Sequence, residues 1–269
     1  MEKTIGLVGC GVIGTELAVY ADRELKDRIN KIVLYDTDPQ KSATLVKKLS
    51  GVVVAGSIEE IVAGSDLVVE AAAPGAVAEI LRMAIANKKD AMIMSVGGIL
   101  GNEGLLYDAE ERGVKILVPS GAIAGIDAVK AAKQAGLESV TITTRKPPKS
   151  IKGAPFLAEN NIDIDKITEE TVIFEGNAED AIKGFPKNVN VSALLSISGL
   201  GPERTKVRIV ISPEYTRNSH EIEVKGKAGT IRTRTENVPS PDNPKTSYLA
   251  ALAAIAALRG YFDSVRIGT

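Results

Sequence analysis

The stretch Ile5–Gly14, with the sequence IGLVGCGVIG, decides the fold of this chain. A short apolar run leads into three glycines spaced as G-x-G-x-x-G, and helical spacing of apolar residues follows as far as Leu25. In such a turn the first glycine permits a tight bend, the second lets the backbone approach a pyrophosphate, and the third lets helix and strand pack closely. The competing interpretation is a turn that only packs a helix on a strand. We predict a dinucleotide-binding turn whose cofactor contacts are Gly9, Gly11, Val12, Ile13 and Gly14.

Strand-like and helix-like runs alternate over the first 120 residues. The apolar runs after the glycine turn are Lys31–Asp36, Val52–Val54, Leu67–Val69, Ala91–Met94 and Lys115–Val118. Continuous apolar strands that alternate with helices are typical of a parallel sheet covered on both faces. The pattern therefore predicts an α/β doubly wound (Rossmann) dinucleotide-binding domain over residues 1–120.

The second half of the chain has a different pattern. After a basic, proline-containing break at Lys146–Lys149, polar and apolar residues alternate in Lys206–Ile209 and again in His220–Lys225. Such alternation predicts a second, α+β domain with a mainly antiparallel sheet over residues 121–242, for substrate binding and oligomerisation. The alanine-rich run Tyr248–Leu258 is apolar nearly all round and predicts a buried helix. We expect residues 243–269 to pack back on the first domain.

Asp36 ends the second predicted strand, 22 residues after Gly14. A carboxylate at this place accepts hydrogen bonds from the adenine-ribose 2′-hydroxyl and repels the 2′-phosphate of NADP, so NAD is favoured. Lys41 lies close enough in sequence to offset that charge, and NADP therefore stays open. Small residues follow the later strands, and we predict that Ala72 and Ala73 also contact the cofactor.

His220 is the only histidine of the chain. Its side chain is the one whose unperturbed pKa lies near neutrality, and oxidation of an alcohol or an amine requires a proton acceptor as well as a hydride acceptor. His220 is therefore the candidate acid/base residue. The alternative is a core histidine, because His220 shares a strand face with Ile222 and Val224.

Several polar residues near predicted helix starts are candidates for binding a carboxylate or a carboxamide. Asn188 and Asn190 precede one helix, and the other interpretation of both is N-capping. Lys245, Thr246 and Ser247 are predicted to open the last helix, where free amides and a positive charge attract an anion. A capped helix with a solvated lysine is the alternative. For Arg232 and Arg234 we favour a solvated strand face.

Composition excludes several classes of protein. The net charge is −1, from 33 basic and 34 acidic residues, whereas nucleic-acid binders are usually basic. With one cysteine and one histidine, the chain cannot build a Cys/His zinc site, and no metal site is predicted. We interpret Cys10 as a small buried residue rather than a nucleophile. No apolar run reaches the length of a membrane span and no signal peptide is evident, so we expect a cytoplasmic protein.

Taken together, these segments resemble the L-aspartate dehydrogenase family. Besides the glycine turn, the resemblance is carried by PSGAIAG at 119–125, FPKNVNV at 185–191, RNSHEI at 217–222, ENVPS at 236–240 and NPKTSY at 243–248. It implies oxidation of L-aspartate by NAD or NADP to iminosuccinate, which hydrolyses to oxaloacetate and ammonia or feeds quinolinate synthesis on the way to NAD. It also implies that His220 is catalytic, that Ala124 and Asn190 contact the cofactor, and that the protein forms a homo-oligomer, usually a dimer. With this substrate, Asn188, Lys245, Thr246 and Ser247 are the predicted carboxylate-binding residues.

Three other functions stay open at this point. A related dehydrogenase or reductase, such as homoserine dehydrogenase, could use the same plan, although dihydrodipicolinate reductase would be expected to show paired histidines. An NAD-sensing binding protein would bind the cofactor and tolerate loss of His220. A scaffold with a degenerate nucleotide fold is disfavoured by the intact glycine turn and Asp36.

Overall fold

The computed structural model describes residues 2–186, 190–241 and 243–268, with the backbone alone for residues 243–245. The chain divides into two compact units. The first contains the chain up to Pro119 together with Ala251–Arg266, and the second contains Ser120–Ala250 and the last residues from Ile267. Across the described ranges, every helix is too short or too polar to cross a membrane.

The first unit contains a parallel sheet of six strands. In chain order the strands are β1 (Lys3–Val8), β2 (Ile29–Tyr35), β3 (Val52–Val54), β4 (Leu67–Glu70), β5 (Asp90–Ile93) and β6 (Ile116–Leu117). They lie in the order β3-β2-β1-β4-β5-β6, and each neighbouring pair is parallel. The strand order reverses between β1 and β4, and ligands of such sheets bind beyond the carboxyl ends of the strands at this reversal. The predicted doubly wound domain is confirmed.

Helices cover both faces of this sheet. They are α1 (Val12–Glu24), α2 (Pro39–Val46), α3 (Ile58–Gly64), α4 (Pro74–Ala86) and α5 (Gly104–Glu111). One hydrophobic cluster contains Leu7, Leu34 and Val69, and the other contains Val8, Val33 and Val68. Because side chains alternate between the two faces of a strand, neighbouring residues of one strand join different clusters. This explains why the strands are continuous apolar runs.

The second unit contains a mixed sheet of five strands. They are β7 (Leu137–Lys146), β8 (Thr171–Asn177), β9 (Thr205–Ile211), β10 (Asn218–Gly226) and β11 (Gly229–Asn237), in the order β11-β10-β7-β9-β8. Strands β7 and β9 are parallel, and the other three pairs are antiparallel. The predicted mainly antiparallel sheet is therefore present, with one parallel pair at its centre. A small hairpin, β12 (Pro239–Ser240) and β13 (Asn243–Ser247), follows it.

Helices cover one face of the second sheet. The helices of this unit are α6 (Ile126–Ala135), α7 (Pro155–Glu159), α8 (Ala178–Gly184) and α9 (Asn190–Ser198). Helix α6 packs on β10 and β11, and α9 packs on β7 and β9. The covered face is lined by Val140, Ile142, Val207 and Ile222, all at most 1% exposed. The alternation in the sequence reflects this difference between a covered face and a more polar one.

The last helix, α10 (Tyr248–Phe262), differs from the sequence prediction in two respects. Residues 243–247 form strand β13 instead of opening the helix, because they pair with β12 and the Tyr248 amide donates to the Val238 carbonyl. The predicted burial all round is also wrong. Ala251, Ala254 and Leu258 are at most 1% exposed, whereas Leu249 and Leu252 are 38% and 41% exposed. One side of the helix, made of alanines and Leu258, is therefore buried, and the other side is exposed.

Three phenylalanines form the aromatic centre of the second unit. Phe185 is fully buried, and its ring centroid lies 5.2 Å from that of Phe156 and 5.7 Å from that of Phe174. Replacement by alanine removes these contacts and leaves a cavity. We expect Phe185→Ala to lower the free energy of unfolding by about 3–5 kcal/mol in urea denaturation followed by circular dichroism. Val172→Ala, at a side chain that is 41% exposed, is the matched control and should cost at most about 0.5 kcal/mol.

Candidate active site

The glycine turn joins β1 to α1, and its three glycines face different surroundings. A Cβ on Gly14 would lie 2.0 Å from the Gly9 carbonyl oxygen, and a Cβ on Gly9 would lie 2.5 Å from that of Ala71. Gly9 also has a φ of +101°, which disfavours any residue with a side chain. Nothing lies within 4 Å of a Cβ built on Gly11. Gly9 and Gly14 are therefore required by the protein's own packing, while Gly11 leaves open space at the start of the helix.

The start of α1 fits the pyrophosphate of a dinucleotide. Gly11 is the N-cap residue, so no side chain there can accept hydrogen bonds from the first amides of the helix. Val12 and Ile13 begin the helix, and both are half-buried. Free amides at a helix start, together with the helix dipole, attract phosphate oxygens. The cofactor contacts assigned to these residues remain predictions, and the geometry of the turn accommodates them.

The Asp36 carboxylate fixes the glycine turn to the end of β2. Its Oδ2 accepts from the Cys10 amide at 2.8 Å, and its Oδ1 accepts from the Asp38 amide at 2.8 Å. Each oxygen of a carboxylate can accept a second hydrogen bond, so a ribose hydroxyl can still bind there. Burial, followed by the charge of Asp36, raises the pKa of the Cys10 thiol to about 11. The thiol is therefore protonated at neutral pH, as expected of a small buried residue that is not a nucleophile.

A polar cavity of about 290 Å³ lies beside this turn, within the first unit. It is lined by Cys10, Thr15, Asp38, Gln40, Lys41, Thr44, Leu45 and Lys48. Lys41 Nζ lies 3.9 Å from Asp36 Oδ1 and is more than half exposed. The lining of the cavity carries two positive charges, on Lys41 and Lys48, and one negative charge, on Asp38. The Lys41 ammonium offsets part of the negative charge of Asp36.

Glu70, which the sequence analysis did not single out, joins the ends of β4 and β5. Its side chain is fully buried and accepts four hydrogen bonds at 2.8–3.2 Å, from the amides of Ala72, Met94 and Ser95 and from the Ser95 hydroxyl. Burial raises the pKa of Glu70, and these hydrogen bonds oppose the rise. Ala72 and Ala73 are exposed in the loop that Glu70 holds. An acid at the end of the apolar strand LVVE was the available signal.

In the second unit, three polar side chains of β11 hold the loop of residues 120–125. Thr235 Oγ1 and Asn237 Nδ2 donate to the Ala122 carbonyl at 2.9 and 3.0 Å, and Thr233 Oγ1 donates to the Ala124 carbonyl at 3.0 Å. Ala124 itself is exposed. The predicted small-residue loop is thus fixed by its own unit, and the sequence analysis missed the residues that fix it.

His220 lies in β10, and its side chain is 4% exposed. Its Nδ1 lies 2.9 Å from Thr144 Oγ1 of β7, the residue directly opposite in the sheet. Lys146 follows two residues later on the same strand face and is 6% exposed. Ile222 and Val224 lie on the His220 face too, as a core histidine would require. Thr144 and Lys146 are polar neighbours of His220 on that face.

The environment keeps the imidazole of His220 neutral. Burial, and to a lesser extent the charge of Lys146, lower the pKa of His220 to about 3. Burial also lowers the pKa of Lys146 to about 8. Two neighbouring buried groups with strongly shifted pKa values, on the covered face of a sheet, are typical of a functional site.

The remaining predicted residues are placed less favourably or lie outside the described residues. Asn188 is among the residues that are not described, as is the side chain of Lys245. Asn190 is exposed at the start of α9. Thr246 and Ser247 lie in β13, so they do not open the last helix as predicted, and the first amide of α10 donates to the Val238 carbonyl. Arg232 and Arg234 are exposed and pair with Glu223 and Glu236.

The described part of the chain contains no cluster of three histidine, cysteine or acidic side chains suited to a metal ion. The first unit has a dinucleotide-binding edge, and the second unit has a buried histidine with polar neighbours.

Two family models match the chain. Residues 127–261 match the model described as "Aspartate dehydrogenase, C-terminal". Residues 9–119 match the model described as "Homoserine dehydrogenase, NAD binding domain".

Similar proteins cover nearly the whole chain. The L-aspartate dehydrogenase of Methanocella arvoryzae is 47% identical over an alignment of 269 positions, which covers 98% of this chain and 99% of that protein. The L-aspartate dehydrogenase of Methanococcoides burtonii is 46% identical with the same coverage. Among solved structures, aspartate dehydrogenase from Thermotoga maritima matches with a TM-score of 0.78 at 27% identity, and both chains are covered completely.

The glycines of the turn provide a paired test of its two roles. Gly14→Ala places a methyl group against the Gly9 carbonyl, so we expect it to destabilise the cofactor-free protein by about 3 kcal/mol and to weaken NAD binding. Gly11→Ala meets open space, so the melting temperature of the cofactor-free protein should be unchanged while NAD binds roughly tenfold more weakly. Differential scanning fluorimetry and isothermal titration calorimetry measure the two effects. Unchanged NAD affinity in Gly11→Ala would contradict the assignment of the turn.

Lys41 provides a test of cofactor preference. We expect Lys41→Gln to raise the KM for NADP about fivefold and to leave the KM for NAD unchanged, because an exposed lysine supplies a modest, screened attraction for the 2′-phosphate. Steady-state kinetics with both cofactors measures the ratio. Lys47→Gln, at an exposed lysine of the same segment outside the cavity, is the control. An equal change of both KM values would show that Lys41 does not discriminate the phosphate.

Proposed function

The chain belongs to the L-aspartate dehydrogenase family, and we propose that it catalyses the NAD(P)-dependent oxidation of L-aspartate to iminosuccinate. Membership is shown by relatives at 46–47% identity over 98% of the chain. The observation that carries the proposal is the buried His220 in the half of the chain that matches aspartate dehydrogenase. The model named for homoserine dehydrogenase matches the cofactor-binding half alone.

The reaction requires two transfers from the substrate. L-aspartate loses a hydride from Cα and a proton from nitrogen as iminosuccinate forms, and the ammonium group must first lose a further proton because a neutral amine is needed to expel the hydride. When bound, the nicotinamide ring supplies the hydride acceptor. The residues proposed to hold the cofactor are Gly9, Gly11, Val12, Ile13, Gly14, Asp36, Ala72, Ala73, Ala124 and Asn190.

His220 is the proposed proton acceptor. Its low pKa makes it neutral at neutral pH, as a base must be before it takes a proton. In the tautomer with a proton on Nδ1, that nitrogen donates to Thr144 Oγ1, and Nε2 keeps the lone pair for the substrate. The same group can return a proton when water adds to the imine. Asn188, Lys245, Thr246 and Ser247 remain proposed contacts of the substrate carboxylates.

A homodimer and a cytoplasmic location are proposed together with this activity. The dimer rests on the family resemblance, and sedimentation velocity of the purified protein measures it. The location accords with a single cysteine, which excludes any disulfide within the chain.

The activity is tested by the near-ultraviolet absorbance of the reduced nicotinamide. Purified protein with NAD or NADP should give a growing signal with L-aspartate and none with L-homoserine, L-alanine or L-glutamate. A signal with L-homoserine instead would assign the chain to the neighbouring activity. No signal with any of these amino acids, in either direction, would refute the dehydrogenase and leave a protein that only binds the cofactor.

His220→Ala tests the catalytic residue. We expect kcat to fall about 10²–10⁴-fold with an unchanged Kd for NAD, because the variant loses a proton acceptor and no proposed cofactor contact. Stopped-flow or steady-state kinetics and calorimetry measure these values. The matched control is Ile222→Ala, which opens a cavity on the same strand face and should cost stability while kcat stays within a few-fold. Near-normal kcat in His220→Ala would make His220 a core residue.

A further inference from the structure

The buried Lys146 lies near His220, the proposed base, and has no role in the proton and hydride transfers proposed above. Thr144, Lys146 and His220 form what we call the lysine–histidine cluster. Thr144 and Lys146 lie on the covered face of β7, and His220 lies opposite Thr144 on β10. The exposed fractions are 3%, 6% and 4%. All three belong to the second unit.

Lys146 occupies a position at which a sheet of this kind normally has an apolar residue. It continues the series Val140, Ile142 and Thr144 on one face of β7, and its partner on β9 is Ile211, which is fully buried. Even when a buried charge is compensated by partners, a hydrophobic side chain of similar volume is often at least as stable in its place. The charge at position 146 therefore points to a role beyond packing.

The surroundings of His220 show what that charge does. Residues in register with His220 and Thr144 on the neighbouring strands are Thr235 of β11 and Ile209 of β9, and the buried residues of α6 are Val129 and Ala132. None of these side chains is charged, and Lys146 is the group whose charge acts on His220. A cation beside a histidine makes the imidazole a poor base. An anion bound at the cation would cancel this smaller part of the lowering and make the imidazole a stronger base, while the larger effect of burial remains.

We propose that the Lys146 ammonium binds one carboxylate of the substrate beside His220, and that binding of this carboxylate makes His220 able to take the substrate's proton. The inference rests on the proposed function and names a further substrate-binding residue for it. In L-aspartate, the proposed substrate, one carboxylate would pair with Lys146 while the ammonium group meets Nε2 of His220.

The first test compares two lysines of the second unit. In Lys146→Met, which keeps the length of the side chain, we expect the KM for L-aspartate to rise about 10–100-fold, as loss of a charged hydrogen bond implies. The Kd for NAD should be unchanged. Lys206→Met removes the same charge from an exposed position of β9 and should leave KM and kcat unchanged. An unchanged KM in Lys146→Met would overturn the proposal.

The second test needs no turnover and observes His220 directly. As the only histidine, it gives a single set of imidazole signals in nuclear magnetic resonance of the tag-free protein. Succinate, a dicarboxylate without the amine, serves as the probe. We expect succinate to raise the pKa of His220 in the wild type and in Lys206→Met, but not in Lys146→Met. In the absence of succinate, the pKa should be higher in Lys146→Met than in the wild type.

The outcomes separate this proposal from the proposed function. An equal response to succinate in the wild type and in Lys146→Met, or no response in the wild type, would overturn the role of Lys146 even if L-aspartate is oxidised. Absence of L-aspartate oxidation together with the expected succinate response would refute the activity and keep a dicarboxylate site. If Lys146→Met does not fold, Lys146→Gln replaces it, and the wild-type titration stands without any variant.

Discussion

The buried carboxylate of Glu70 is the constraint on which the cofactor edge of the first unit depends. A fully buried carboxylate must be surrounded by donors, and Glu70 obtains them from the loops that follow β4 and β5. The loop after β4 in turn presses the Ala71 carbonyl against Gly9, where even a methyl group would not fit. Three consecutive strand ends are thereby fixed relative to one another. Asp36 fixes the fourth, by accepting from the Cys10 amide.

The second unit fixes its loop and its histidine with neutral hydrogen-bond donors instead of a buried carboxylate. Its loop of small residues is held by hydroxyl and amide side chains of β11, and its histidine is held by a threonine on β7. These contacts are local to the sheet and require no charge. Lys146 is the exception, because it places a charged group on the covered face of the sheet, where packing favours an apolar side chain. Fixed neutral donors surrounding a few shifted titratable groups are the arrangement expected where electrostatic preorganisation assists a reaction.

Much of the fold could be predicted from the sequence because its signals are local. The glycine spacing, the first two apolar runs and the acid after β2 all lie within the first 40 residues and describe one continuous βαβ pattern. The lysine–histidine cluster joins residues 76 positions apart, and nothing in a single sequence gives that register. The alternation along β7 nevertheless indicated that Lys146 is buried, since Lys146 lies on the same strand face as Val140 and Ile142. We interpreted it only as part of a basic break before two prolines.

The error at residues 243–247 has a similar origin. A proline followed by polar residues before an alanine-rich run is typical of a helix start, and the pairing with Pro239–Ser240 overrides that local preference. Glu70 was missed because an acid at the end of a strand is usually solvated. Here its own loop supplies one donor and the loop after β5 supplies three, which no composition or periodicity indicates.

The path of the chain has a consequence for how the protein is made. Ala254 and Leu258 of α10 belong to the hydrophobic cluster of the first unit, and the Tyr261 hydroxyl donates to Asp90 while accepting from Lys3. The first unit is therefore completed by residues that are translated only after almost the whole second unit. During synthesis one face of its sheet stays partly uncovered until α10 has been made. Folding of the first unit is thus coupled to translation of the second, and a product that ends before α10 would carry an unfinished cofactor-binding unit.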